Sequence, residues 1–265
     1  MKTLETPAWT TLERAQLRST VWSFAQRNIL PFQDEWERLG ELPIDLHKQA
    51  AEIGLLGLGF PEEVGGSGGD LIDATILGEE LHYAGVAGGV FSSLLTCGIA
   101  LPHLIAARDP EQIERWVRPT LAGEKIGSLA ITEPGGGSDV GHLTTTAVRD
   151  GDHYVVNGAK TYITSGVRAD FVVTAVRTGG EGAGGVSLLV VERGTPGFTV
   201  TRKLDKMGWR ASDTAELSYV DARVPVTNLV GAENSGFLQI AQAFVTERVG
   251  LAVQAYASAQ RCLDL

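Results

Sequence analysis

Cysteine is scarce. Only Cys97 and Cys262 occur in the 265 residues, far apart and outside any CxxC spacing, so neither a disulfide framework nor a cysteine-based metal site is expected, and a reducing, cytoplasmic setting fits. Positive charge is also short. Against 32 Asp and Glu there are 22 Lys and Arg, and a formal net charge of −10 argues against nucleic acid or an anionic membrane surface as the main partner. No uninterrupted run reaches the ~18 apolar residues of a membrane span. The opening MKTLETPAWTTLERAQ has neither the apolar centre of a secretory signal nor the Arg-rich, acid-poor character of an organelle one. The familiar phosphate-binding motifs are missing too. Gly135, Gly136 and Gly137 are not followed by Lys-Ser/Thr. A formal G-x-G-x-x-G at Gly180, Gly182 and Gly185 lies between β-branched runs, which makes it a hairpin loop between strands.

What is present is glycine, 33 residues of it, and an apolar fraction of 43%, enough for more than one core in a chain of this length. The stretch 129–164 gathers the most special backbone positions. A short apolar run ends in Thr132-Glu133-Pro134, three glycines follow, then Ser138 and Asp139. Glycines without Cβ let backbone N–H groups approach a ligand, and a turn of such groups makes a concave anion site suited to phosphate. Ser138 adds a hydroxyl, and Asp139 can cap the turn.

Two textures divide the chain. Up to residue 125 it reads as helices. Thr10 with Glu13 forms a capping box before an amphipathic run over 12–28 that Pro31 closes. Further helices are predicted from Pro43 to Gly54, after Asp70 to Ala84, over 90–107, and from Asp109-Pro110 onward. PEEVGGSGGD at 61–70 reads as a surface loop. From 126 to 235 short β-branched runs alternate with turn signals, at 144–148, 154–156, 170–177, 186–191 and 198–201, with Asn157-Gly158 as the strongest hairpin signal. An antiparallel β-barrel or sandwich follows from that pattern. Residues 236–265 return to helix and run to Leu265 without a stop signal. The fold class is therefore α+β and multidomain.

In the last helix Phe237, Ala241, Phe244, Arg248, Leu251, Ala255, Ala259 and Cys262 recur at three- and four-residue intervals and mark an apolar face. Arg248 interrupts it, with Glu247 at its edge beside Ile240, Ala243 and Leu251. A guanidinium on such a face needs a partner, because an unpaired buried charge costs several kcal/mol. Read from the residues alone, Glu247-Arg248 is either a functional pair or a local ion pair on the helix surface.

The strings ITEPGGGSD, YITSG at 162–166 and KMGWRASDTAEL at 206–217, with PEEVGGSGGD, DARVPVTNLVG and Glu247-Arg248, resemble in order those of the acyl-CoA dehydrogenase family of flavoenzymes. The resemblance implies FAD as cofactor and an acyl-CoA thioester as substrate, desaturated by α-proton abstraction and β-hydride transfer. It puts Leu129, Ile131 and Thr132 along the isoalloxazine ring, Gly137 and Ser138 at the flavin pyrophosphate and CoA side, and Tyr162, Ile163 and Thr164 on the opposite part of the ring. Many relatives carry Trp where this chain has Tyr162. In the isovaleryl and long-chain members a glutamate just before the helix arginine is the base, which makes Glu247 the candidate here. Val245, Arg248 and Ser138 become substrate contacts, and Leu94, Leu95, Thr96 and Leu101 are candidates for the pocket wall. Family members continue into a further helical domain that completes the flavin site and builds a homodimer or homotetramer, and they pass electrons to an electron-transferring flavoprotein or a similar acceptor. This chain ends at Leu265, so an exposed apolar stripe on its last helix is expected. Two other functions share the fold: a flavin oxidase or monooxygenase using oxygen, and a binding module without turnover.

Overall fold

The computed structural model describes residues 9–265; residues 1–8, on which part of the reading of the N-terminus rests, lie outside the described residues. Nine helices and seven strands follow in chain order among them. Helix α1 (Leu12–Phe24) is capped by Thr11, not Thr10: its side chain accepts from the Arg14 N–H at 3.2 Å. A π-helical turn, Ala25–Ile29, carries α1 on to Leu30. Helix α2 (Gln33–Leu39), which the sequence pattern did not indicate, ends on Gly40 in the left-handed region. Helix α3 spans Ile44–Glu52.

Helix α4 (Leu71–Ala84) has the firmest start. The Asp70 carboxylate accepts from the N–H groups of Ile72 and Asp73, and Asp73 returns the bond to the Asp70 N–H. Such a box contributes about 1 kcal/mol. Arg14 then ties α1 to both carboxylates at 2.8 Å.

The predicted helix over 90–107 is two, α5 (Gly88–Leu94) and α6 (Cys97–Ala107), broken at Leu95 and Thr96. Together, Gly88–Ala107 is long and apolar enough to cross a membrane by length and composition, with a mean hydropathy of 1.8. Half of it is buried within the protein, and Val90, Leu94, Leu101 and Leu104 belong to the helical core. Pro110–Gln112 (α7), a π turn at Ile113–Val117 and Arg118–Leu121 (α8) run on in sequence, started by the Asp109 cap.

The strands are β1 (Gly127–Ala130), β2 (Thr146–Asp150), β3 (His153–Thr164), β4 (Phe171–Arg177), β5 (Val186–Glu192), β6 (Phe198–Lys203) and β7 (Thr214–Pro225). They form one seven-stranded sheet in the order β1-β4-β2-β3-β7-β6, with β5 on β4. It is not wholly antiparallel: β1 and the start of β2 both pair with β4 in parallel. The sheet curls without closing, since β5 and β6 do not pair.

Strand β4 is buried on both sides, which explains its unbroken apolar sequence. Phe171, Val173 and Ala175 face the helices, while Val172 and Val176 face the inside of the curl with Tyr154, Val156 and Tyr219. Each valine or phenylalanine so withdrawn from water contributes about 1.5–3 kcal/mol.

Asn157-Gly158 makes no hairpin. It lies inside β3 at a register shift against β7, and the β2–β3 turn is at Gly151-Asp152. Asn157 instead exchanges hydrogen bonds with Asp221 on β7, and a Cβ at position 158 would sit 2.5 Å from Thr145 Oγ1. The loop through Gly180, Gly182 and Gly185 does join β4 to β5, as the pattern predicts.

Helix α9 (Gly236–Asp264) lies against α4, α6 and β5. Its buried face is Gly236, Ile240, Val253, Gln254 and Ala257, with Ala243 and Glu247 half-buried on the same side. The predicted stripe is offset from this face: Phe237, Ala241, Arg248, Leu251, Ala255, Ala259 and Cys262 are exposed. Glu247, not Arg248, is the charged group turned inward.

Candidate functional site

The glycine stretch hangs from a buried ion pair. Lys160 on β3 is fully buried, and its Nζ donates to Glu133 Oε1 and to the Ile131 carbonyl, both at 2.9 Å. Glu133 also accepts from the N–H of Thr144 at 2.6 Å, its hydroxyl at 2.7 Å and the N–H of Thr145 at 2.8 Å. Burial alone would raise the Glu133 carboxyl, but the Lys160 charge and these hydrogen bonds outweigh it and hold the group at about 2. Burial brings Lys160 down to about 8 despite the carboxylate beside it.

Neither residue was singled out from the sequence, although a signal exists. Tyr154, Val156 and Lys160 share the inward phase of a period-two strand, and a lysine on that phase calls for an acid partner.

With Glu133 fixed, residues 133–136 close a tight turn in which the Gly136 N–H is used on the Glu133 carbonyl at 3.1 Å. None of the three glycines lies in the left-handed region. The surrounding protein leaves the first two open: a Cβ at Gly135 or Gly136 would meet nothing within 4 Å, whereas one at Gly137 would sit 3.1 Å from Thr132 Cγ2. The N–H groups of Gly137 and Ser138 make no hydrogen bond among the described residues.

Beside this loop runs the end of β3. The Thr161 N–H donates to the Thr132 carbonyl at 2.9 Å, and Ser128 Oγ donates to the Thr164 carbonyl at 2.6 Å. The ladder slips between Lys160 and Ile163, and there Tyr162 adopts φ +59 with 69% of its surface exposed. A bulky residue held in that region costs about 1–3 kcal/mol and clusters at functional sites. Ile163 is 2% exposed and packs into the sheet core, so only its backbone is available. Leu129 and Ile131 are half-buried against the helical core, and Thr132 and Thr164 carry hydroxyls with no hydrogen bond among the described residues.

The tip of β3 is clamped to the helices. The Ser165 hydroxyl meets Thr96 Oγ1 at 2.8 Å, and buried Asp213 accepts from the Val167 N–H at 2.8 Å and Arg168 Nε at 2.7 Å. Arg168 continues to the Leu42 carbonyl and the Ser93 hydroxyl.

A cleft of about 660 Å³, within the usual size range of ligand pockets, opens between α4, the α5–α6 break and α9. Thr164 and Glu247 both line it. Its rim includes Phe60, Pro61 and Asp70, which flank the glycine loop read as a plain surface loop, and Trp209. Of the predicted wall residues Leu95 and Thr96 line it, whereas Leu94 and Leu101 are core at 2% and 0% exposure. Val245, Arg248 and Ser138 are exposed and do not line it. Cys97 does, but burial pushes its thiol up to about 12, which leaves it protonated and unreactive.

Glu247 makes no hydrogen bond or ion pair among the described residues, not even with Arg248, whose guanidinium lies 5.9 Å from the Phe244 ring centre. Burial raises the Glu247 carboxyl, with Arg248 opposing. No group of His, Cys, Asp and Glu that could hold a metal ion exists among the described residues.

The cleft thus joins one unpaired carboxylate, Glu247, to Thr164 at the end of β3 within apolar walls suited to a long apolar chain. Residues 11–124 match the family "Acyl-CoA dehydrogenase, N-terminal domain" and residues 128–222 "Acyl-CoA dehydrogenase, middle domain". The chain belongs to the acyl-CoA dehydrogenase family.

It is 40% identical over 238 residues to the long-chain specific mitochondrial acyl-CoA dehydrogenase of Rattus norvegicus, covering 89% of this chain and 55% of that protein. The crystal structure of a putative acyl-CoA dehydrogenase from Mycobacterium smegmatis superposes with a TM-score of 0.96 at 72% identity, over 97% of this chain and 68% of the other. A glutaryl-CoA dehydrogenase of the same organism, solved in complex with FADH2, gives 0.88 at 27% identity over 98% and 66%. The chain thus spans little more than half the length of the rat relative.

Proposed function

We propose that this chain carries the catalytic cleft of an FAD-dependent acyl-CoA dehydrogenase, which desaturates an acyl thioester between its α and β carbons. The observation that carries the reading is Glu247, a partly buried, unpaired carboxylate in the same apolar cleft as Thr164 at the end of β3.

The residues present fit FAD. Tyr162 offers an aromatic wall, Thr132 and Thr164 offer uncommitted hydroxyls to a ring edge, and Gly137 with Ser138 offer free N–H groups to a pyrophosphate. Bound there, FAD supplies the hydride acceptor for the β-carbon, a capacity no protein side chain has.

The chain's own part is the α-proton. Glu247 takes it, and the electron pair left at the α-carbon becomes the new double bond as the β-hydrogen departs with its own pair. Burial that disfavours the ionised form of Glu247 makes it a stronger base, and an acyl chain expelling water from the cleft strengthens that effect. The apolar walls hold the acyl chain and exclude water. Arg248 and Val245, outside the cleft, are assigned to the CoA end of the thioester, and Ser138 to the CoA side. An electron-transferring flavoprotein or similar acceptor reoxidises the enzyme, and a homodimer or homotetramer covers exposed apolar residues of α9 such as Leu238 and Leu263.

The test is optical. The FAD-loaded protein is yellow and bleaches anaerobically on addition of an acyl-CoA thioester. A protein that takes up no FAD, or stays yellow with every chain length, contradicts the proposal.

A further inference from the structure

Gln254 is an anomaly in the cleft wall. It is 6% exposed, lines the cleft, and its side-chain Nε2 has no hydrogen-bond partner. Thr164 and Glu247, the other uncommitted polar groups of the cleft, are assigned above to the flavin edge and the α-proton, and other polar groups that line it are bonded. Thr75 Oγ1 donates to the Leu71 carbonyl at 2.8 Å, Thr96 Oγ1 to the Ser92 carbonyl at 2.9 Å, and Thr246 Oγ1 to the Ala243 carbonyl at 3.0 Å. Asp70 accepts from the Ile72 N–H at 2.8 Å. Nothing local requires an amide at 254, since Val253 and Ala257 beside it are buried and apolar, and Leu or Met would serve α9 equally well. A buried polar group without a partner is costly, and a hydrogen bond from something entering the cleft removes that cost.

Position says what that something is. Gln254 follows Glu247 by seven residues on the same face of α9, two turns or about 10.5 Å along the helix. With Glu247 at the α-carbon of a thioester, Gln254 stands beside the far part of a medium-length acyl chain.

Resting on the dehydrogenase reading above, we propose that Gln254 is a specificity-determining residue: its carboxamide hydrogen-bonds an oxygen function, a hydroxyl or carbonyl, carried far from the thioester. The preferred substrates are oxygenated acyl-CoA thioesters rather than plain aliphatic ones. A site built to bond such a group discriminates strongly against the analogue lacking it, because the analogue leaves the amide unpaired.

The test uses decanoyl-CoA and a ladder of its derivatives hydroxylated at successive carbons from the ω end. Dissociation constants are read from the perturbed flavin spectrum of the FAD-loaded protein, and kcat/KM from turnover. One rung should bind about tenfold or more tighter than decanoyl-CoA, and Gln254→Leu should abolish or reverse that preference. Equal or weaker binding of every hydroxylated thioester by the wild type overturns the proposal, as does an unchanged preference in Gln254→Leu. The wild-type comparison stands even if the variant fails to fold. If thioesters bind but none is turned over, the dehydrogenase reading fails, and the binding ratios still decide the role of Gln254.

Discussion

Replacing Lys160 with Met probes how the glycine turn is held. Lys160 is fully buried, and among the described residues its Nζ is the one positive charge bonded to Glu133, which is 7% exposed. Met fills the same space but leaves the carboxylate ionised and uncompensated, and breaking a buried pair in this way costs about 3–5 kcal/mol. Glu133 keeps its bonds from the Thr144 hydroxyl and the N–H groups of Thr144 and Thr145, which favours the lower end, about 3 kcal/mol. Removing both charges in Lys160→Met with Glu133→Gln should cost less than the sum of the single changes, because neither ion is then stranded. Urea unfolding of the four proteins gives the cycle. A Lys160→Met protein within about 0.5 kcal/mol of wild type, or strict additivity, would refute the reasoning. Since the turn is anchored through Glu133, Lys160→Met should also release FAD more readily in dialysis.

Glu133 gives a pH prediction as well. A carboxyl held at about 2 in the fold, against 4.5 ordinarily, stabilises the protein by about 3 kcal/mol above the ordinary range and loses that contribution as pH falls toward 2; unfolding measured from pH 6 to 2 should be steeper for wild type than for Glu133→Gln. Glu247 runs the other way. Its raised carboxyl contributes stability below the ordinary carboxylate range and loses it as pH rises through the folded value, so Glu247→Gln should be at least as stable as wild type at pH 7 in thermal melts. Asp213→Ala strands Arg168 between the sheet tip and the helices and should cost about 3–5 kcal/mol by denaturant unfolding. Gly66→Ala puts a Cβ 2.2 Å from the Phe60 carbonyl oxygen, a cost of about 1–3 kcal/mol, and should weaken acyl-CoA binding because Phe60 lines the cleft.

Local chemistry was readable in the sequence wherever a few neighbouring residues decide the outcome. Asp70 caps α4, Asp109 starts α7, and the glycine loop at 180–185 joins two strands, all as their composition predicts. Asn157-Gly158 failed because both residues answer to distant partners, Asp221 and Thr145, and a cross-strand demand outweighed the turn propensity. Thr11 took the cap from Thr10, within the usual uncertainty of helix ends.

The phase of α9 failed for a more instructive reason. The most apolar stripe is not the buried one, because part of the inward face lines a cleft and so carries Glu247 and Gln254. Hydrophobic periodicity finds packed faces and misjudges a helix that turns polar groups toward a ligand. The motif strings marked the Tyr162 segment and the glycine turn, but Lys160 and Glu133, which hold that turn, come together only when β3 is laid beside the turn that follows β1.

The central claim is that Glu247 removes the α-proton of a bound acyl-CoA. Exchange of the α-hydrogen with deuterium oxide, followed by mass spectrometry with a thioester that binds but cannot complete the hydride step, reads that event alone. Wild type should incorporate deuterium, and Glu247→Gln, with unaltered affinity for the same thioester, should lose the exchange by a factor of about 10² or more. Undiminished exchange in Glu247→Gln would contradict the account.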